Sequence, residues 1–416
     1  MIIDKKVSKN ILYLLILQGL NYILPLISIP YLTRVLGLNN FGIYTFFWAL
    51  AQYLTIITDY GFNYTATRKI ALLQGNNKQI SSLFTSVILT KLFLLVLIFL
   101  VSLIAFSMLP HIQEYWVVFN VSLLIVLGNI LFPVWVFQGL EEMKYITIFN
   151  IIAKFIATGS LFIFVHKQTD YTNALFIQSV GVIICGIVSI YLIRKLFKIK
   201  IQFRVDITEI KEQVSEGKDV FIAQLLGGLF GNGCVFITGI VTGPVAAGYV
   251  ALAQKIEGSI VGLSQPIAQG MYPYLCKLYN NKNYEQFFTI RKTITLFSST
   301  VGITLSIIIM LFADNILNLI SGQTNPVLST TLKVFSITMI FTTLNVLYNS
   351  FILSMKKNEE MRKMYLFSSI IFLFISLLLT KLTGSVGMAI SLLIISIFIV
   401  LYSNIITRDF RSIPKN

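Results

Sequence analysis

GLNYILPLISIPYLTRVLGLNNFG, residues 19–42, reads as one long apolar helix that is broken twice by proline, at Pro25 and Pro30, carries Arg34, and stops at a glycine turn between Gly37 and Gly42. A run of that length and apolarity belongs in a bilayer, because a hydrocarbon core of about 30 Å needs about 20 helical residues to cross it. Counted from Ile11 at about 1.5 Å per residue, Arg34 lies about 35 Å along the helix, at the far edge of the membrane and not at its centre. Pro25 and Pro30 are candidates for a hinge that bends this helix, with Arg34 beside them as an outer gate or anchoring residue.

The rest of the chain has the same character. Hydrophobic residues make up 56% of the 416 and charged residues 12%, about half the charged share of a soluble domain, and the mean hydropathy is +0.82. The fold class is an all-α polytopic membrane protein. About twelve apolar stretches are long enough to span, near 11–36, 41–59, 81–107, 116–137, 145–165, 172–194, 219–241, 248–276, 288–312, 327–354, 364–381 and 384–406. The N-terminal run is too long for a signal peptide and no small-residue cleavage site follows it, so it reads as a retained first span.

Basic residues fix the expected orientation. Lys5, Lys6 and Lys9, then Arg68, Lys69 and Lys78, then Lys144, Arg194 to Lys218, Lys277 to Lys292, Lys356 to Lys363, and Arg408 to Lys415 all fall on one side, whereas the opposite loops hold only Lys167 and Lys381. The positive-inside rule places both termini in the cytoplasm. The net charge of +15 is thus a topology signal with some attraction to anionic lipid headgroups. Charges spread over short loops without interleaved aromatics argue against a nucleic-acid partner. Cys185, Cys234 and Cys276 lie in separate spans without CxxC spacing, and His111 and His166 stand alone in outer loops, so neither metal nor catalytic chemistry is indicated.

The longest cytoplasmic connection, KIKIQFRVDITEIKEQVSEGKDV, mixes charges with Phe203, Val205, Ile207 and Ile210 and predicts a short amphipathic surface helix. It divides the chain into an N-terminal six-helix lobe at 1–197, a connecting segment at 198–218 and a C-terminal six-helix lobe at 219–416. The halves repeat weakly. VLGLNNFGIY at 35–44 matches VTGPVAAGYV at 241–250, LQGNNKQISSLFTS matches LYNNKNYEQFFTI, and EEMKY at 141–145 matches EEMRKMY at 359–365. Halves with an even number of spans face the same way, which predicts a symmetry axis along the membrane normal.

Charges inside the spans carry the functional signal. Lys91, Lys154, Lys255, Glu257 and Lys333 would each cost about 2.5–3.5 kcal/mol at the bilayer centre, so they must face protein or water. Lys91 is placed about 15 Å into span three and Lys154 about 14 Å into span five, while Lys333, about 9 Å from an outer end, has snorkelling as its alternative. Lys255 and Glu257 are two apart and do not face each other. Four cations against one carboxylate leave an excess that an anion such as a diphosphate would satisfy, a phosphate 4 Å from a lysine gaining about 4 kcal/mol at an effective dielectric near 20. The run GGLFGNG at 227–233 lacks the GK[ST] ending of a phosphate loop and reads as close packing or a hinge, and no Walker A sequence occurs in a cytoplasmic loop.

PLISIPYLTRVLGLNNFGIYTFF, DYGFNYTATRKIA, FPVWVFQGLEEMKYIT and, in the second half, YVALAQKIEGSIVGLSQPIAQGMYP resemble the O-antigen flippases, the Wzx group of the multidrug/oligosaccharidyl-lipid/polysaccharide exporter superfamily. The resemblance implies two MATE-like six-helix lobes around a central cavity, in the bacterial inner membrane. The implied activity is alternating access that carries an undecaprenyl-diphosphate-linked oligosaccharide from the cytoplasmic to the periplasmic leaflet. It further implies Lys154, Lys255 and Lys91 as residues that meet the diphosphate or an acidic sugar, and Asp59 and Glu257 as candidates for coupling to an H+ or Na+ gradient; Lys333, by its place inside a span, is a further substrate-binding candidate. No other cofactor is implied; membrane lipids, a polymerase and a chain-length regulator of the same pathway are the implied partners. Two rivals stand beside it. A drug/cation antiporter of the same superfamily would need an anionic cavity, and a membrane-embedded polymerase would need a sizeable outer loop with catalytic groups, where this chain has only the isolated Asp170 and Asp314.

Overall fold

The computed structural model describes residues 5–73, 75–202, 207–322 and 324–408. Phe203, Val205, Arg411 and Lys415 lie outside them, and the side chains of Lys5, Lys6, Lys9, Ile207 and Arg408 are likewise outside the description. In chain order the helices are α1 (Lys5–Asp59), α2 (Phe62–Leu72), α3 (Asn77–Met108), α4 (Trp116–Leu131), α5 (Val134–Gly139), α6 (Met143–Phe164), α7 (Tyr171–Leu196) and α8 (Ile207–Gly228). They continue with α9 (Asn232–Thr242), α10 (Pro244–Val261), α11 (Ser264–Asn280), α12 (Tyr284–Ser321), α13 (Pro326–Ser354), α14 (Asn358–Thr383) and α15 (Ser385–Arg408). An all-helical chain is what the bilayer demands, since only intrahelical hydrogen bonds satisfy the backbone of a single span in hydrocarbon.

All twelve apolar stretches are mostly helical, and three of them, 116–137, 219–241 and 248–276, cross a break between two helices. Among the described residues nine helices are long and apolar enough to cross a membrane, or ten if α8 and α9 form one broken span. The difference between twelve and nine has three sources: the first two stretches run together in α1, the seventh is broken between α8 and α9, and the eighth is divided between α10 and α11, two shorter pieces.

The chain separates into two compact units, Met1–Gly228 and Leu229–Asn416. The division falls inside the 227–233 glycine run, where helix is interrupted between α8 and α9. In the first unit α7 packs along α4 and α6, α1 lies against α4 and α6, and α2 against α5. Glycine lets α4 and α7 approach closely: a Cβ at Gly128 would come within 2.9 Å of Val182, and one at Gly186 within 2.6 Å of Leu131, the small-residue contact that substitutes for hydrophobic driving force between helices in lipid. In the second unit α13 is the central element, touching α10, α11, α12 and α15.

The connecting segment packs on the first unit. From Ile207 it is helix α8, and this helix docks on α2 of the first unit through Arg68–Glu216 at 3.0 Å, Lys69–Glu212 at 3.6 Å and Lys69–Glu216 at 3.5 Å. Tyr60 stacks on Phe221 with ring centroids 4.7 Å apart. Its acidic residues thus answer the basic residues of α2.

Each pair of matched sequences adopts the same turn. Gly37, inside α1, has φ 71° and ψ 163°, and Gly243, between α9 and α10, has φ 95° and ψ 169°. These dihedrals are nearly exclusive to glycine. Asn76 caps α3 by accepting from the Gln79 N–H, and Asn283 caps α12 by accepting from the Gln286 N–H. Glu141 and Lys356, one residue before the caps of α6 and α14, both take positive φ, 58° and 59°. The internal repeat is therefore a repeat of backbone conformation as well as of letters.

Helical dihedrals persist through Pro25 and Pro30 and are broken at Gly37. The expectation of a helix interrupted at its prolines is corrected to one interrupted at the glycine. Proline removes one N–H but its fixed φ suits a helix, whereas Gly37 takes a conformation no helix contains.

Candidate functional site

Depth in the membrane decides what each charge can do, and exposed side chains measure it. On α3 the large exposed apolar residues run from Leu89 to Met108, about 30 Å of helix and so one hydrocarbon core. Ile80, Leu83, Phe84 and Val87 are equally apolar but buried against protein. The extended stretch after α7 lies beside this part of α3, the Lys200 N–H donating to Ser81 Oγ at 3.0 Å and the Gln202 N–H to Thr85 Oγ1 at 2.8 Å. Lys91 therefore sits near the boundary of the apolar belt and not at mid-membrane. Hydropathy placed it too deep because it cannot tell a protein-facing leucine from a lipid-facing one.

At that boundary Lys91 meets Asp59, the last residue of α1. Nζ and Oδ1 are 2.5 Å apart, with the residues 4% and 6% exposed. The pair lines a cavity of about 60 Å³ with Thr55, Thr58, Asn63 and Asn129, and with Phe132 and Val134 on either side of the Pro133 interruption between α4 and α5. The sequence reading treated Lys91 as an anion ligand and Asp59 as a coupling carboxylate; the structure brings them together as one neutral pair. Asn63 and Asn129 were missed, although amide residues within or beside apolar spans were the available signal. Trp135 is fully buried and packs near Phe84, ring centroids 5.9 Å apart.

Lys154 is half-buried on α6, between the exposed apolar residues Ile152, Phe155 and Ile156. Lys333 is half-buried on α13. On α10, Lys255 is exposed and Glu257 is buried, the opposed faces that a separation of two predicts. Thr342 of α13 donates to Glu257 Oε1 at 2.9 Å. One turn before Glu257, Gln254 donates to the carbonyls of Phe230 and Gly231, both at 3.4 Å, at the start of α9. Gln254 and Thr342 carried no separate signal in the sequence.

Arg34 is exposed on α1. Nearby, the Tyr31 hydroxyl donates to the Val165 carbonyl at 2.6 Å, and Asn40 donates to the Gln168 carbonyl at 2.8 Å. These contacts tie residues 31–40 to the loop after α6, so Arg34 lies at the end of the span, where counting residues put it. No large apolar side chain is exposed on α1 from Ser28 to Asp59 or on α10 among the described residues. Both helices differ in this from α3, α12 and α14, whose exposed faces are covered with leucine, isoleucine and phenylalanine. The faces that carry Arg34 and Lys255 are not built to meet lipid tails. Among the described residues no cluster of three or more His, Cys, Asp or Glu side chains could hold a metal ion.

A family described as polysaccharide biosynthesis protein matches residues 7–279. The chain belongs to the polysaccharide biosynthesis protein family. A second family model, MatE, matches residues 220–363. A protein of Escherichia coli K12, provisionally named an O-antigen transporter, is 30% identical over 388 residues, 92% of each chain. Its counterpart by name in Shigella dysenteriae is 28% identical over 401 residues, 95% of this chain and 98% of that one. Among solved structures, the lipid II flippase MurJ in an inward closed conformation superposes with a TM-score of 0.72 at 12% identity, covering 97% of this chain and 88% of that one. An inward-facing MATE-family multidrug transporter of the MOP superfamily gives a TM-score of 0.66 at 14% identity, covering 94% and 100%. This member of the polysaccharide biosynthesis protein family is thus a multi-pass membrane protein with the MOP-superfamily fold, and its curated relatives place it among transporters and not enzymes.

Proposed function

We propose that this chain carries an undecaprenyl-diphosphate-linked oligosaccharide, an O-antigen or related repeat unit, from the cytoplasmic to the periplasmic leaflet of the bacterial inner membrane by alternating access, with both termini cytoplasmic. The observation that carries the reading is the pair of faces just described: Lys255 on α10 and Arg34 on α1 are exposed on helices that show no large apolar side chain around them. A membrane helix with a cation on a face unsuited to lipid suits an anionic, hydrated passenger. Lys154 and Lys255 are assigned to the diphosphate or an acidic sugar, and Lys333 to a supporting role. Lys91 is held by Asp59 and is assigned to the integrity of the first unit. Of the two carboxylates, Glu257 with its single hydroxyl donor remains the candidate for coupling to an H+ or Na+ gradient. A polymerase and a chain-length regulator of the same pathway are the natural partners.

The test is transport by the purified full-length protein in liposomes loaded on one face with a fluorescent undecaprenyl-diphosphate-linked glycan. The wild type moves the glycan to the other leaflet without lengthening it, and Lys154→Gln combined with Lys255→Gln lowers the rate at least tenfold. Chain growth would mark an enzyme, and drug-driven cation exchange without glycan movement an antiporter. Full transport by the double variant would remove the lysine assignment.

A further inference from the structure

α3 touches α4 sparsely, whereas α4 is packed along its length on α7. The space between α3 and α4 is an apolar groove of about 600 Å³, walled by Leu95, Val96 and Phe99 on one side and by Trp116, Val121 and Leu127 on the other. Asn120 also lines it, but its amide is turned back to donate to the carbonyl of Trp116 at 2.8 Å, which leaves hydrocarbon and aromatic surface as the dominant chemistry.

The reach of the groove says what kind of chain fills it. The exposed belt of α3 ends at Met108, so Leu95 lies about 20 Å from that boundary, past a midplane at about 15 Å. Trp116 opens α4 at the same end as Met108. The groove therefore runs from near one interface to beyond the centre of the bilayer. The acyl chains of a phospholipid stop near the midplane, so neither leaflet's ordinary lipid fills it end to end. A chain longer than one leaflet does.

Lys91, Leu95 and Phe99 are spaced four apart along α3, so the buried Asp59–Lys91 pair lies one turn from the groove residue Leu95, toward the basic loops. A trough of hydrocarbon and aromatic surface that crosses the midplane is the footprint of a single chain longer than one leaflet.

We infer that the α3–α4 groove holds the polyprenyl chain of the lipid-linked substrate, a role that rests on the flippase reading above and adds to it a binding site for the tail. Methyl-branched isoprenoid units suit the irregular wall formed by Phe99 and Trp116, whose ring centroids lie 6.3 Å apart, because aromatic faces pack favourably on branched hydrocarbon.

The experiment uses the full-length protein in lipid nanodiscs with two photoactivatable probes, a diazirine-bearing undecaprenyl-diphosphate disaccharide and a diazirine-bearing phosphatidylcholine. The polyprenyl probe is expected to label peptides containing residues 95–99 and 116–127 at least tenfold more than the phospholipid probe, and excess unlabelled polyprenyl phosphate is expected to suppress that labelling. Filling the trough with Val121→Trp is expected to raise the KM for transport at least fivefold while protein level and kcat hold. Equal labelling by the two probes would show a groove filled by bulk lipid and would overturn the inference. Glycan movement without groove adducts would overturn it while leaving the flippase reading intact. Absence of both glycan movement and polyprenyl adducts from the wild type would remove both.

Discussion

Replacing Asp59 by asparagine strands a buried ammonium. In the native pair Lys91 Nζ lies 2.5 Å from Oδ1 and both residues are more than nine-tenths buried. At an effective dielectric of 20 the gross attraction at that distance is about 7 kcal/mol, most of it offset by the cost of taking two charges out of water. Removing one partner keeps the desolvation cost and loses the attraction, so Asp59→Asn is expected to destabilise by about 3–5 kcal/mol, and Lys91→Met by a similar amount. The double variant Asp59→Asn with Lys91→Met removes both charges and should recover most of the loss, which makes the coupling energy about 3 kcal/mol or more. The assay is thermal unfolding of the purified full-length protein in detergent, where each single change should lower the midpoint on the order of 10 °C for a unit of this size. A coupling below about 0.5 kcal/mol would refute a structural pair. The double variant also separates two roles for Lys91: if it serves only Asp59, transport returns together with stability, and if it also touches substrate, a stable double variant stays inactive.

Gly37→Ala and Gly243→Ala should each destabilise by about 1–3 kcal/mol through the backbone alone, since a Cβ would meet only Gln168 at 3.9 Å in the first case and nothing within 4 Å in the second; parallel shifts in unfolding midpoint would check it. Gly217→Val should displace α8 from α2, because even a Cβ there would sit 2.6 Å from the Tyr60 carbonyl, and faster proteolysis within residues 198–218 would report it. By contrast Arg68→Ala removes a side chain that is 67% exposed and should cost less than about 1 kcal/mol. Thr342→Val leaves Glu257 without its hydroxyl donor and should alter the dependence of transport on an imposed ion gradient more than it alters transport at zero gradient; an unchanged gradient response would detach Glu257 from coupling.

Most of the architecture was legible because the bilayer enforces it. Spans of about 20 apolar residues and glycine pairs at equal spacing have few alternative readings once lipid is the solvent. What escaped was any property that depends on which neighbour a residue meets. Ile80 to Ile88 and Leu89 to Met108 look alike as letters, yet the first group faces protein and the second faces lipid, and this difference moved Lys91 to the interface. Asp59 and Lys91 are 32 positions apart, so no local pattern could pair them. The prolines of α1 drew attention as breakers, while Gly37, whose dihedrals interrupt the helix, looked like an ordinary turn residue.

The repeat separates what the fold requires from what the chemistry requires. A shift of 206 positions, the separation of Gly37 from Gly243, carries Asp59 onto Gln265 and Glu257 back onto Ala51; a shift of 207, the separation of the capping residues Asn76 and Asn283, carries Lys91 onto Ser298. The two units therefore keep the same glycine turn and the same asparagine caps but keep none of the buried charges in common. Turns and caps satisfy backbone groups that any six-helix unit must satisfy, so both copies need them. A buried ion pair in one unit and a hydroxyl-bonded carboxylate in the other cost free energy at their own sites, and symmetry supplies no reason for them. The unit with the pair also has the apolar groove beside it, and the unit with Glu257 has the exposed Lys255 two residues away. On this view the duplicated units have divided part of the work, the first adding the groove for the lipid tail and the second the carboxylate for the coupling ion, and a variant that exchanges Gln265 and Ser298 for Asp and Lys should gain no transport.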